Sequence, residues 1–197
     1  RTFLEQYVKP FRMALKAKPA MVMTAFNAID RKPISGNKEL LRDLLRDKEG
    51  FDGTVISDWG SIGQLKEQGV AADMDEAASQ AIEAGVDIDM MSPAYMFRLE
   101  ELVKNGQIPE SFIDESAFRV LMMKNQLGLF ENPFAGIGKS GNLTQYNRTK
   151  AYQMASESYV LLKNEKILPL SQKQKVIWVG PYVTSKEFLS RWAIFGE

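Results

Sequence analysis

Three aspartates stand where this chain has the means to do chemistry. Asp58 closes the run Thr54-Val55-Ile56-Ser57, and Asp87 and Asp89 alternate with apolar residues across Val86 to Met91. The chain has no histidine and no cysteine, so the usual general base, the commonest metal ligand and the thiolate nucleophile are all missing. Carboxylates are left to carry any reaction, and no cofactor is called for. A β-branched run with polar residues at both ends reads as a buried parallel strand. It delivers Asp58 at its carboxyl end, where ligands gather in repeating α/β folds. Trp59 stands beside it as a flat apolar wall of the kind that receives the C–H faces of sugars, and Gly60 and Gly63 let the backbone turn away. The competing reading makes Asp58 the cap of the next helix. For Asp87 and Asp89 the choice lies between active-site acids and acceptors that satisfy nearby donors at a barrel's end. Buried acids are usually paired structurally, which favours the second.

Several elements must position these residues. Residues 1–17 place Phe3, Leu4, Tyr7, Val8, Phe11 and Leu15 at helical spacing, with Pro10 marking a kink or break, and predict a core-facing helix. The apolar run Ala20 to Phe26 predicts a buried strand whose end lies beside that of the Asp58 strand. Ala28 to Gly36 reads as a polar loop. Asn37 then caps a helix to about Lys48, with Leu40, Leu41, Leu44 and Leu45 inward. Beyond Asp58, Ser61 to Gln68 reads as helical. Asp73 caps a helix over Met74 to Ala84 that stops at Gly85, and Val86 to Met91 reads as a third strand. Ala94 to Gln126 is helical in two pieces broken at Asn105-Gly106 and Pro109, with Glu110 or Ser111 available to cap the second.

Helix and strand alternating over short connections predict right-handed parallel βαβ units. Residues 128–147 are rich in glycine, proline and small polar residues and predict an inter-domain linker. After it come a helix from Arg148 to about Asn164 and a strand over Lys175 to Gly180, which together predict the incomplete start of a second α/β domain over 148–197.

Across the 197 residues, 25 basic and 25 acidic side chains cancel. No global field draws the chain to nucleic acid or an anionic membrane. A neutral substrate fits better. No apolar run reaches the roughly 18 residues of a membrane span. The chain opens on Arg1 without Met or a signal-peptide pattern, so the native amino terminus is expected to be absent. The lack of cysteine suits cytosol and periplasm equally.

Five stretches, in order along the chain, resemble glycoside hydrolase family three in its β-glucosidase and β-xylosidase branch. They are VMTAFN at 22–27, GNKELLRDLLRDKEGFDGTVISDWGSI at 36–62, AIEAGVDIDMMS at 81–92, LGLFENPF at 127–134 and ASESYVLLKNEKILPL at 155–170. The resemblance implies an α/β chain made of the C-terminal part of a TIM-type (β/α) barrel over 1–127, a linker over 128–147, and the first elements of an α/β-sandwich domain.

It further implies a retaining, exo-acting β-glycosidase whose nucleophile is Asp58, with Trp59, Met23 and Phe26 at the sugar subsite. Many family members carry tyrosine where Phe26 stands, so a hydroxyl is lost here. The acid/base is implied to be a glutamate beyond Glu197, and the family's Lys-His pair to lie upstream of Arg1, leaving the fragment inactive by itself. The implied partner is a β-linked oligosaccharide or glycoside, and the implied compartment periplasmic or secreted, with the residues leaving cytosol open. The exposed edges of an incomplete barrel predict self-association. Two other readings stand beside this one. A non-catalytic carbohydrate-binding relative would keep Trp59 and the fold without an acid/base. A metal-dependent barrel hydrolase would use Asp58, Asp87 and Asp89 as oxygen ligands, against which the absence of histidine and the strand alternation both count.

Overall fold

The computed structural model describes residues 2–134, 136–137 and 144–185. The chain divides into two compact units, Arg1–Gly138 and Lys139–Glu197.

The first unit is α/β. Strand β1 (Met21–Met23) and strand β4 (Thr54–Ile56) pair in parallel with Met21 opposite Thr54, Val22 opposite Val55 and Met23 opposite Ile56. The expected adjacency of the two strand ends is therefore present. The first observed segment is shorter than Ala20 to Phe26, because beyond Met23 only the Thr24 N–H still reaches across, to the Ile56 carbonyl at 2.9 Å. Gly53 enters β4 against the Ala20 carbonyl, which a Cβ would approach to 2.6 Å, so only glycine fits that crossing.

Around this pair lie a π-helical turn (Phe3–Tyr7), α1 (Val8–Leu15), a π-helical segment (Glu39–Lys48), α2 (Gln64–Glu67), α3 (Met74–Ala84), α4 (Ala94–Lys104) and α5 (Glu110–Gln126). The core gathers Leu41, Leu45, Val55, Ile62, Leu65, Ile82, Val86, Leu102 and Ile108. Helix α3 has the predicted ends. Asp73 accepts the Glu76 N–H at 2.9 Å and the helix stops before Gly85. Asn37 likewise accepts the Leu40 N–H at 3.2 Å and opens the segment that buries Leu41 and Leu45.

Five further expectations in this unit need correction. The amino-terminal helix faces the core only in part: Val8 is buried and Leu15 packs against the core cluster, while Tyr7 and Phe11 are exposed along an apolar groove shared with Val22, Met23 and Ile34. The chain does not break at Pro10: the π-helical turn Phe3–Tyr7 runs straight into α1 with Tyr7 and Val8 both in right-handed helical conformation, and Pro10 lies within the continuous helix. The loop Ala28 to Gly36 contains a small hairpin, β2 (Ala28–Ile29) against β3 (Lys32–Pro33), turned by Asp30 and Arg31 with both residues at positive φ. The third strand contracts to a single parallel bridge, Ile56 to Ile88. Its cause is a bulge: the N–H groups of Asp87 and Ile88 both go to the Val55 carbonyl, at 2.8 and 3.1 Å, so the ladder loses its register there. Helix α5 has neither Glu110 nor Ser111 as a side-chain cap; Pro109 occupies that place.

In the second unit, α6 (Thr144–Glu157) is the helix expected from Arg148 to Asn164, displaced toward the amino terminus. Lys175 to Gly180 forms no strand, and Ile177, Trp178 and Val179 are exposed. A strand needs a ladder partner, and the described residues of this unit supply none.

Candidate active site

Asp58 leaves the sheet two residues after Ile56. Side chains alternate along a strand, so Ile56 and Asp58 point to one face and Val55 and Ser57 to the other. Burial follows that alternation: Val55 and Ser57 are inaccessible, whereas Ile56 and Asp58 are half-buried. Met23, paired with Ile56, shares the open face. Residues 24–26 and 57–59 thus leave two neighbouring strands side by side.

The turn around Asp58 is held from below. Ser57 Oγ accepts the Met90 N–H at 2.7 Å and donates to the Asp58 carbonyl at 3.0 Å. The Ser57 N–H donates to the Ile88 carbonyl at 2.9 Å, and the Gly60 N–H to that of Met90 at 2.7 Å. Gly60 takes φ 67°, a left-handed conformation that sends the chain away beside Trp59. Oδ1 of Asp58 accepts the N–H of Trp59 at 2.6 Å. No group among the described residues donates a hydrogen bond to Oδ2, which leaves that oxygen's lone pairs available on a partly exposed side chain.

The capping alternative for Asp58 does not hold. Helix α2 begins after Gly63 with no side-chain cap, and the Asp58 carboxylate serves its own turn. The three proposed wall residues are also not core: Met23 is 51% exposed, Phe26 43% and Trp59 48%. Large apolar side chains left open at the ends of two paired strands, one of which carries a partly exposed carboxylate, suit a ligand with both apolar faces and hydroxyls. Gln68 Nε2 donates to the Phe26 carbonyl at 3.3 Å, tying the end of β1 to the end of α2.

Asp87 and Asp89 serve the scaffold, as favoured from sequence. The Asp87 side chain is fully buried and takes four donors. Arg46 Nη2 at 2.8 Å and the Val55 N–H at 2.8 Å meet Oδ2, while Arg119 Nη1 at 2.9 Å and Ser116 Oγ at 3.0 Å meet Oδ1. Burial lowers the pKa of the Arg46 guanidinium, and the charge of Asp87 opposes that shift. Asp89 accepts the N–H groups of Ser92 and Tyr95, both at 3.1 Å, and so serves the first turn of α4. Both carboxylates are thus engaged by donors of the fold itself. The sequence reading missed Arg46, Arg119 and the buried hydroxyls of Thr24, Ser35 and Ser61. The arginines lie 41 and 32 residues from Asp87, and no local pattern marks such a partnership.

This chain resembles known glycosidases across nearly its whole length. It is 34% identical to the "Periplasmic beta-glucosidase" of Salmonella typhimurium over 96% of the chain and 26% of that protein. It is 40% identical to a "Putative beta-xylosidase" of Formosa agariphila over 93% of the chain and 25% of that protein. The crystal structure of a β-glucosidase from Listeria innocua in complex with glucose superposes with a TM-score of 0.78 at 42% identity, covering 95% of this chain and 26% of that one. The chain spans about a quarter of the length of these relatives. Residues 1–123 match the model of the glycosyl hydrolase family 3 N terminal domain, and the chain belongs to that family.

Proposed function

We propose that these residues form the nucleophile half of a retaining, exo-acting β-glycosidase, most closely a β-glucosidase, within a chain of the relatives' length. The observation that carries this reading is the partly exposed carboxylate of Asp58 on the same open face as Met23, with Trp59 beside it. An anionic carboxylate attacks the anomeric carbon of the terminal sugar and forms a glycosyl ester as the aglycone departs. A second carboxylic acid about 5–5.5 Å away protonates the leaving oxygen and then activates the water that frees the sugar. Trp59, Met23 and Phe26 pack against the sugar's C–H faces. The acid/base is a residue outside these 197, in the sandwich domain for which residues 148–197 are the opening and 128–147 the connection; residues 1–127 are the later part of the barrel. The substrate is a β-linked glycoside or oligosaccharide. The name of the Salmonella relative supports a periplasmic or secreted location, and among the described residues no helix is long and apolar enough to cross a membrane.

Trapping tests this directly. A 2-deoxy-2-fluoro-β-glucoside with a good leaving group, given to the chain of full family length, is expected to leave its sugar on the peptide containing Asp58. A sugar found on Asp87 or Asp89, or turnover with no trapped peptide at all, would overturn the assignment.

A further inference from the structure

Three hydroxyls lie buried beneath the candidate site in a continuous hydrogen-bonded row. Thr24 Oγ1 is 2.8 Å from Ser35 Oγ, which is 2.8 Å from Ser61 Oγ. Their residues are 3%, 1% and 4% exposed. Each comes from a different segment: Thr24 follows β1, Ser35 lies in the 3-10 turn Ile34–Gly36, and Ser61 follows the Asp58–Trp59 turn. Buried hydroxyls cost stability unless paired, and these are paired chiefly with one another.

The row begins where the backbone ladder ends. Thr24 makes the last β1–β4 backbone bond, through its N–H to the Ile56 carbonyl. Past that point the two chains part, one toward Phe26 and the other toward Asp58 and Trp59, and no backbone hydrogen bond joins residues 25–27 to residues 57–61 among those described. By strand alternation Thr24 lies on the face opposite Met23, as Ser57 lies on the face opposite Asp58. The hydroxyl row therefore holds the two site turns from behind without entering the open face. Ser61 is further fixed to Asp58 itself, its N–H donating to the Asp58 carbonyl at 3.1 Å.

We propose that Thr24, Ser35 and Ser61 are positioning residues that set the spacing between the Met23–Phe26 wall and the Asp58–Trp59 turn, and through it the fit of the sugar in front of the nucleophile. This rests on the glycosidase reading of Asp58. Attack at an anomeric carbon demands near-attack geometry, and displacements of about 1 Å are enough to cost a hundredfold in rate. Removing Ser35 cuts both links at once and leaves two buried hydroxyls facing an empty place. Removing all three hydroxyls leaves no unpaired polar group, because apolar groups of similar shape replace a satisfied set.

The test compares Ser35→Ala, the near-isosteric Thr24→Val, and the triple variant Thr24→Val/Ser35→Ala/Ser61→Ala in the chain of full family length. Assayed on an aryl β-glucoside well below the melting midpoint, Ser35→Ala should lose about 10- to 100-fold in kcat/KM with an unchanged pH profile. Thr24→Val should lose less. The triple variant should regain the parent's melting midpoint but not its kcat/KM. Recovery of both in the triple variant, or kcat/KM within twofold of the parent in Ser35→Ala, overturns the proposal. Should Ser35→Ala not fold, Thr24→Val and the triple variant decide by the same criteria. Amide exchange of the peptides spanning residues 23–27 and 57–62 is read alongside and must rise in the triple variant while the other core peptides stay protected. A parent without glycosidase activity would sink the reading of Asp58 alone, and the exchange data would still show whether the row fixes the two turns.

Discussion

The carboxylate of Asp87 accepts the backbone N–H of Val55 at 2.8 Å, taking the place that a strand carbonyl would hold in a regular parallel ladder. Val55 lies three residues before Asp58, so the strand that carries the candidate nucleophile is clamped by a side chain which is itself bound to Arg46 and Arg119. Those arginines belong to the segment Glu39–Lys48 and to α5. One buried anion thus joins a strand and two helices.

Asp87→Asn keeps an oxygen for the Val55 N–H but removes the charge facing two guanidiniums. Breaking a buried pair from one side costs about 3–5 kcal/mol, because the remaining charge stays desolvated. Arg46, with a side chain 9% exposed, suffers most, whereas Arg119 also holds Glu115 at 3.2 Å. We expect a large fall in the urea midpoint at unchanged slope for Asp87→Asn, and a smaller one for Arg119→Met. Equal midpoints for Asp87→Asn and the parent would show that the clamp contributes nothing to stability.

How much was readable beforehand follows from which physics acts locally. The α3 boundaries, the Asn37 cap and the parallel β1–β4 neighbours came from signals within a few residues, and all are present. Asp87 was legible as a structural acceptor, but its partners were not, since guanidiniums three dozen or so residues away leave no trace in spacing. The third strand failed because Asp87 and Ile88 share one acceptor, a bulge that an alternating pattern does not encode. At the site, Asp58 was marked by its strand end. Thr24, Ser35 and Ser61 carried no mark, since a buried hydroxyl and a solvated one look alike in sequence.

Burial, the larger cause, together with the nearby charges of Asp89 and Asp87, raises the Tyr95 pKa well above its ordinary value, while its hydroxyl donates to the Val86 carbonyl at 2.8 Å. A phenol whose folded pKa is raised contributes stability that is complete below its unfolded pKa of about 10 and is lost as pH rises toward the folded value. Over that alkaline window one proton is worth about 1.4 kcal/mol per pH unit. Tyr95→Phe should cost about 1 kcal/mol at neutral pH through the lost hydrogen bond. It should also flatten the decline above pH 10 relative to the parent. Parallel stability curves for the two proteins from pH 9 to 11 would contradict this.

The hairpin turn places Asp30 at φ 50° and Arg31 at φ 68°. Aspartate tolerates the left-handed region, but arginine there loses about 1–2 kcal/mol to contact between its Cβ and the following carbonyl. Asp-Gly is a favoured sequence for a two-residue hairpin turn with both central residues left-handed. Arg31→Gly should therefore raise stability by about 0.5–1 kcal/mol after the added freedom of the unfolded glycine is offset. A lowered midpoint on thermal unfolding would mean that the Arg31 side chain contributes contacts outweighing its strain.

Phe26 is 43% exposed, so adding a hydroxyl to its ring meets solvent and not core. Phe26→Tyr is expected to leave the melting midpoint within about 0.5 kcal/mol of the parent. If the ring lies along the sugar, the new hydroxyl finds a sugar oxygen and KM for an aryl β-glucoside falls by a few fold, on the scale of about 1 kcal/mol for one hydrogen bond. An unchanged KM would place Phe26 outside the subsite.

The 197 residues by themselves should associate and show no turnover. Strand β1 pairs only with β4 among the described residues, which leaves its other edge with unpaired backbone groups. Beside it, Tyr7 at 65%, Phe11 at 57% and Met23 at 51% exposure line the same groove as Val22 and Ile34. Phe118 at 64% and Leu121 at 50% add a second apolar surface on α5. A contiguous apolar face next to an open strand edge draws another copy, either by edge pairing or by helix docking. Sedimentation at micromolar concentration should therefore report dimers or larger species, weakened by Tyr7→Lys or Phe11→Lys. On the proposed mechanism, pairing of this kind supplies neither a proton donor for the leaving group nor a closed sugar subsite, so Asp58 would have no route to bond cleavage. An aryl β-glucoside assay on the sedimented sample checks the second half. A monomer at those concentrations refutes the association, and clear turnover would locate the acid/base among these residues after all.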